Sequence, residues 1–104
     1  HKLQKDEMVS VSFLGKECLG FIDNGNKVFY KGYPVIFIRH SLLETYEKID
    51  SIVIETANQV ETVDIIVMKE IEINHQVLHH VYVGVMSSNE YDCILNSQLL
   101  GGLL

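Results

Sequence analysis

Residues 8–13 (Met-Val-Ser-Val-Ser-Phe) alternate apolar and polar side chains, the period of a strand with one buried face. Gly15-Lys16 offers a turn into the apolar run Cys18-Leu19-Gly20-Phe21-Ile22, so the two runs predict a hairpin. Asp23-Asn24-Gly25-Asn26 breaks the second strand with residues that tolerate positive φ. Val35-Ile36-Phe37-Ile38 is apolar at every position, which predicts an interior strand covered on both sides. Ser41 followed three residues later by Glu44 is a capping-box pattern, and predicts a short helix through Tyr46.

The second half has the same texture. Residues 52–56 and 60–65 flank Ala57-Asn58-Gln59 and predict a projecting hairpin. Glu70-Ile71-Glu72-Ile73 alternates, Asn74-His75-Gln76 reads as a turn, and residues 77–85 follow with Val81, Val83 and Val85 on one face. After the polar stretch 87–90, Cys93-Ile94-Leu95 reads as a short buried strand, and Ser97 as the cap of a last helical turn carrying Leu99 and Leu100. No linker or internal repeat divides the chain, so residues 1–104 are read as a single domain. Short strands at this spacing predict an all-β closed barrel or sandwich with one or two short helices.

Composition narrows the function. With 8 Lys+Arg against 14 Asp+Glu the net charge is −6 and no basic run occurs, which argues against nucleic acid as a partner. The longest apolar runs fall far short of the ~20 residues of a membrane span, and the polar start carries no signal-peptide pattern. Cys18 and Cys93 form no CxxC pair, and fit a reduced intracellular protein better than a disulfide scaffold.

Few residues could carry chemistry. Asp23 ends an apolar run and starts Asp-Asn-Gly, placing a carboxylate on a tight turn at a strand end, a rigid mount. The same tripeptide is also an ordinary β-turn. His75, His79 and His80 lie near one turn, but an extended strand points His79 and His80 to opposite faces and no cysteine completes a ligand set, so no metal is expected. Cys18 and Cys93 sit in apolar runs where thiols pack rather than react. Asp64 and Asp92 lack a glycine two residues on, and Asp92 is read as an anchor for the loop before Ile94.

The order apolar strand, Asp-x-Gly, apolar strand, hairpin, alternating strands, Tyr91-Asp92-Cys93-Ile94-Leu95 and a leucine-bearing turn resembles the retropepsin-like aspartic proteases, from about Val9 onward. Phe21-Ile22-Asp23-Asn24-Gly25 matches that family's catalytic element, residues 93–100 match the strand and short helix that lie behind it, and residues 70–100 are similar in strand spacing to the corresponding retroviral half. Asp23-Asn24-Gly25-Asn26, the spacing to Pro34-Val35-Ile36, and Cys93-Ile94-Leu95-Asn96 are similar to the protease domain of the sporulation sigma-E factor-processing peptidases. Two positions depart from the family patterns. Asn24 stands where the family carries Thr or Ser, whose hydroxyl bonds across the dimer, and Asn96 stands where retroviral enzymes have glycine, a departure expected within the sporulation family.

The resemblance implies one half of a homodimeric aspartic endopeptidase. Asp23 would be catalytic, Asn24, Gly25 and Asn26 would form the active-site loop, and Ala57, Asn58 and Gln59 the substrate-covering flap. It implies a protein precursor as substrate, such as the pro-sequence of a sporulation sigma factor, and neither metal nor cofactor. It also implies a soluble domain that, in its parent protein, is held at the cytoplasmic face of the membrane by a preceding N-terminal region. Asn24 leaves a second reading open, a protease-like dimerisation or peptide-binding module with impaired catalysis. A viral or transposon protease would share the chemistry and differ in substrate.

Overall fold

A computed structural model describes residues 7–55, 58–87 and 90–99. The strands are β1 (Met8–Phe13), β2 (Lys16–Asp23), β3 (Phe29–Tyr30), β4 (Tyr33–Arg39), β5 (Asp50–Glu55), β6 (Val60–Ile73), β7 (Gln76–Met86) and β8 (Cys93–Asn96). The fold is all-β. Strands β1-β2-β8-β4-β7-β6 are joined in that order, and β6 pairs back onto β1 at Val11↔Ile73 and Ser12↔Glu72, which closes a six-stranded barrel. Closure leaves these strands no open edge, whereas β5 hangs on β6 outside the ring and β3 on β4. Among the described residues no helix is long and apolar enough to cross a membrane.

Two apolar clusters explain the patterning. Val11, Phe13, Ile36, Ile38, Ile66, Ile71, Val83 and Leu95 fill the barrel with their neighbours. Tyr30, Val35, Phe37, Val63, Ile65 and Met86 form a second cluster outside it. Strand β4 serves both: Ile36 and Ile38 point into the barrel, while Val35 and Phe37 join the outer cluster, so every position from 35 to 38 is apolar and buried. These four apolar side chains, each worth roughly 1.5–3 kcal/mol on burial, hold β4 at the centre.

The pairing repeats itself. Hairpin β1–β2 gives β2 a parallel partner in β8, hairpin β6–β7 gives β7 a parallel partner in β4, and β4 and β8 run antiparallel between them. Gly20 pairs with Cys93 in one half and Gly84 with Phe37 in the other. Three residues beyond these glycines stand Asp23 and Ser87, so the internal two-fold sets a serine where the other half carries its carboxylate. The halves share register rather than residues, which is why no repeat is visible in the sequence.

Three expectations are corrected. The segment after β4 is a 3-10 turn over His40–Leu42, without a side-chain cap, and no helix runs from Ser41 to Tyr46. Glu44, instead of closing a capping box, lies 3.5 Å from Lys16 Nζ. Residues 60–65 and 70–73, read as separate strands, belong to one 14-residue strand, β6. Its buried face shifts from Ile66 and Met68 to Ile71 and Ile73, opposite His80, which has a left-handed φ of 56°. That phase shift mimics a strand break in the sequence, and His79 and His80 opposite it are both exposed. At the end of the chain Asn96, not Ser97, caps the turn: its Oδ1 accepts the Gln98 amide at 2.9 Å. Leu100, expected in that turn, lies outside the described residues.

Candidate active site

Strand β2 ends at Asp23 because Asn24-Gly25 turns the chain away from the sheet. The Gly25 amide donates to Asp23 Oδ1 at 2.8 Å, and the Asn26 amide to the Asp23 carbonyl at 3.1 Å. Both contacts are the local closure that Asx residues favour in turns. Asn24 is exposed, and its side chain makes no hydrogen bond among the described residues.

Two buried asparagines pin this loop. Asn26, 7% exposed, donates from Nδ2 to the Val35 carbonyl at 3.0 Å and accepts the Val28 amide on Oδ1 at 3.1 Å. Asn96, fully buried, donates from Nδ2 to the Val28 carbonyl at 3.1 Å. Val28 is therefore held through both its backbone groups, and the chain leaving Asp23 is tied to β4 on one side and β8 on the other. Buried amides are tolerated only when bonded in this way, and each bond to them resists loss by about 1–3 kcal/mol. Asn96 read in the sequence as a departure from glycine; its structural role was missed. The available signal was a polar residue closing the otherwise apolar run Cys93-Ile94-Leu95.

Asp23 lines a cleft of about 220 Å³. Its floor is apolar, with Val28, Phe37, Met86 and Ile94, and the hairpin β5–β6 contributes Ile54, Glu55, Glu61 and Val63. The hairpin β5–β6 thus shares this cleft with the Asp23 loop. It reaches the cleft through the shafts of its strands, while Asn58 and Gln59 lie exposed at the tip and Ala57 lies outside the described residues. On its other side Asp23 borders a second hollow with Phe21, Glu90, Tyr91 and Ile94, where the Phe21 and Tyr91 rings stack at 4.5 Å and 8°.

The remaining candidates are structural. Arg39 Nε lies 3.0 Å from Asp92 Oδ1 and the Arg39 amide donates to the Asp92 carbonyl, so Asp92 anchors the loop before β8 as expected. Asp64 accepts from the Tyr46 hydroxyl at 3.1 Å and lies 3.7 Å from Lys48 Nζ. Burial, with a smaller contribution from Asp92, pushes the Cys18 thiol up to about 11, and burial pushes Cys93 up further, so neither forms a ready thiolate nucleophile. Among the described residues no three His, Cys, Asp or Glu side chains are placed to hold a metal ion.

What the site offers is a single carboxylate with one oxygen fixed by a backbone amide, on a braced turn, beside an apolar cleft. One such group can exchange a proton with water; polarising a carbonyl at the same time needs a second acid. No protein-family model matches the chain, and no curated protein matches it in sequence.

Proposed function

We propose that the chain is one half of an aspartic endopeptidase, active as a homodimer that cleaves a protein precursor. The observation that carries the reading is Asp23 itself: a carboxylate at the end of an inner strand, on a turn braced by buried Asn26 and Asn96, in a cleft flanked by the β5–β6 hairpin. The internal two-fold supplies Ser87 rather than a second carboxylate, so a second copy would have to provide it. Two Asp23 side chains brought together cannot both ionise cheaply and would share one proton. The ionised member takes a proton from water, whose oxygen attacks the scissile carbonyl carbon. The protonated member gives its proton to the carbonyl oxygen; as the resulting diol collapses, the member that took the water proton passes it to the departing amine nitrogen and the other takes a proton from a diol hydroxyl, which restores the shared proton. The resemblance to the sporulation sigma-E factor-processing peptidases makes a pro-sigma peptide the first substrate to try, and the cytoplasmic face of the membrane the place of action in the parent protein.

A second reading is favoured by one residue. Asn24 lacks the hydroxyl that would bond across the dimer, which fits a dimerisation or peptide-binding module of reduced activity. Cleavage of a pro-sigma peptide separates the two. The peptidase gives a specific rate that rises with protein concentration, a bell-shaped pH profile, and no cleavage by Asp23→Ala. Cleavage that survives Asp23→Ala, or a monomer whose specific rate is independent of concentration, overturns it.

A further inference from the structure

The cleft beside Asp23 carries a charge that proton transfer does not use. Glu61 stands opposite Ile54 across the β5–β6 pair and shares a strand face with Val63 and Ile65, which are 4% and 0% exposed. A half-buried carboxylate on the inward face of a hairpin breaks the apolar-in, polar-out alternation of that strand. Glu61 lines the cleft together with Asp23 and, at the rim, Glu55. Among the described residues none of the three makes an ion pair, and no Lys, Arg or His lines the cleft.

The carboxylates do not converge, since no three such groups among the described residues are placed to hold a metal ion. A compact cation is therefore a poor fit. A cationic head on a long apolar stem is a good one: its methylenes can lie along Phe37, Met86 and Ile94 while the head reaches Glu61. The hairpin also presents a backbone ready for a polypeptide. Strand β5, which contributes Ile54 and Glu55 to the cleft, is the last strand of the sheet path, so its outer edge can take an added strand.

We propose that Glu61 is a specificity residue, and that the cleft selects an extended polypeptide carrying lysine or arginine at the position facing Glu61 and an apolar residue over Phe37 and Met86. The inference rests on the cleft being the peptide site of the proposed peptidase. The experiment uses fluorescent peptides that differ only in having lysine, norleucine or glutamate at one scanned position. Binding is read by polarisation with the Asp23→Asn chain, and cleavage with the unaltered chain.

At low salt the lysine peptide should bind about tenfold more tightly than the norleucine peptide, with the advantage shrinking as salt rises. Glu61→Gln should bring the two peptides to within about twofold of each other, and Glu61→Lys should favour the glutamate peptide. Glu55→Gln, at the rim, should reduce the preference less, and thermal melting checks that each variant is folded. Equal binding of lysine and norleucine peptides, a preference that survives Glu61→Gln in a folded chain, or no saturable binding of any lysine peptide overturns the proposal. If nothing is cleaved while the lysine preference and its dependence on Glu61 hold, the peptidase reading fails and the selectivity stands. If cleavage proceeds without a preference, the selectivity fails alone.

Discussion

Asp23 and Asn96 lie side by side in register on the parallel strands β2 and β8, the first on the cleft and the second fully buried behind it. The Asn96 amide reaches the Val28 carbonyl and so closes the loop that begins at Asp23. Replacing it by leucine keeps the approximate volume but takes one of two donors from the Val28 carbonyl, which keeps the Val35 amide, and leaves the part-buried Gln98 amide without its acceptor. Asn96→Leu should therefore cost about 1–3 kcal/mol, read from urea unfolding midpoints. An unchanged midpoint would mean that these groups find other partners and that the brace is dispensable.

The parts of the fold that follow from local sequence were legible: the β1–β2 hairpin, the apolar residues 35–38 of β4, the projecting β5–β6 hairpin and the Asn74-His75 turn, whose two residues have φ of 53° and 68°. What failed was decided by tertiary context. Ser41 and Glu44 satisfy a helix-start pattern, but only a 3-10 turn forms before the chain crosses to β5. The phase shift in β6 looked like a loop because pattern reading assumes a strand buries one face throughout. At the site, Asp23-Asn24-Gly25 was readable as a turn bearing a carboxylate, because Asx and glycine preferences are local. Asn96 and Glu61 were not, because their significance depends on parallel pairing with β2 and on the hairpin sharing the cleft with the loop, neither of which the chain order reveals.

Asn24 offers a gain-of-function test. A threonine at this exposed position is shorter and restores a hydroxyl in the place where the resembling family uses one. Misplacement of catalytic groups by ~1 Å can cost about a hundredfold in rate. Asn24→Thr should cleave at least as fast as the unaltered chain, with any gain appearing in kcat. A variant that dimerises normally in sedimentation but cleaves markedly more slowly would show that Asn24 is no handicap.

Gly84 is the internal counterpart of Gly20, and its missing side chain makes room for Phe37. A Cβ at Gly84 would lie 2.5 Å from Phe37 Cε1 and 2.7 Å from Cδ1. Because that ring also floors the cleft, Gly84→Ala cannot be absorbed by a flexible chain end. Overpacking of this kind costs about 1–3 kcal/mol, which for a domain of this size lowers Tm by roughly 4–8 °C per kcal/mol. The displaced ring should also weaken peptide binding. A melting temperature within error of the unaltered chain would refute the close packing of Phe37 on Gly84.

A pH-sensitive bond joins β3 to the start of β5. The Tyr30 hydroxyl donates to Asp50 Oδ2 at 2.7 Å, tying the segment after the Asp23 turn to the start of β5. That bond, helped by the Ser51 amide, holds the Asp50 carboxyl below its ordinary value of 3.8, and the same bond raises the Tyr30 phenol above 10.0. A carboxyl with a lowered folded-state pKa stabilises the fold above its unfolded value, and the stabilisation disappears as pH falls through the folded one. A phenol with a raised value contributes below its unfolded pKa and loses that contribution as pH rises through the folded one. The bond therefore supports the fold between about pH 4 and pH 10 and fails on both sides. Tyr30→Phe should be less stable than the unaltered chain at about pH 7, and the gap should narrow at about pH 3, below the ordinary carboxyl value of 3.8. Urea midpoints at the two pH values decide it: a deficit as large in acid as at neutrality would show that Tyr30 contributes through packing against Tyr82 rather than through Asp50.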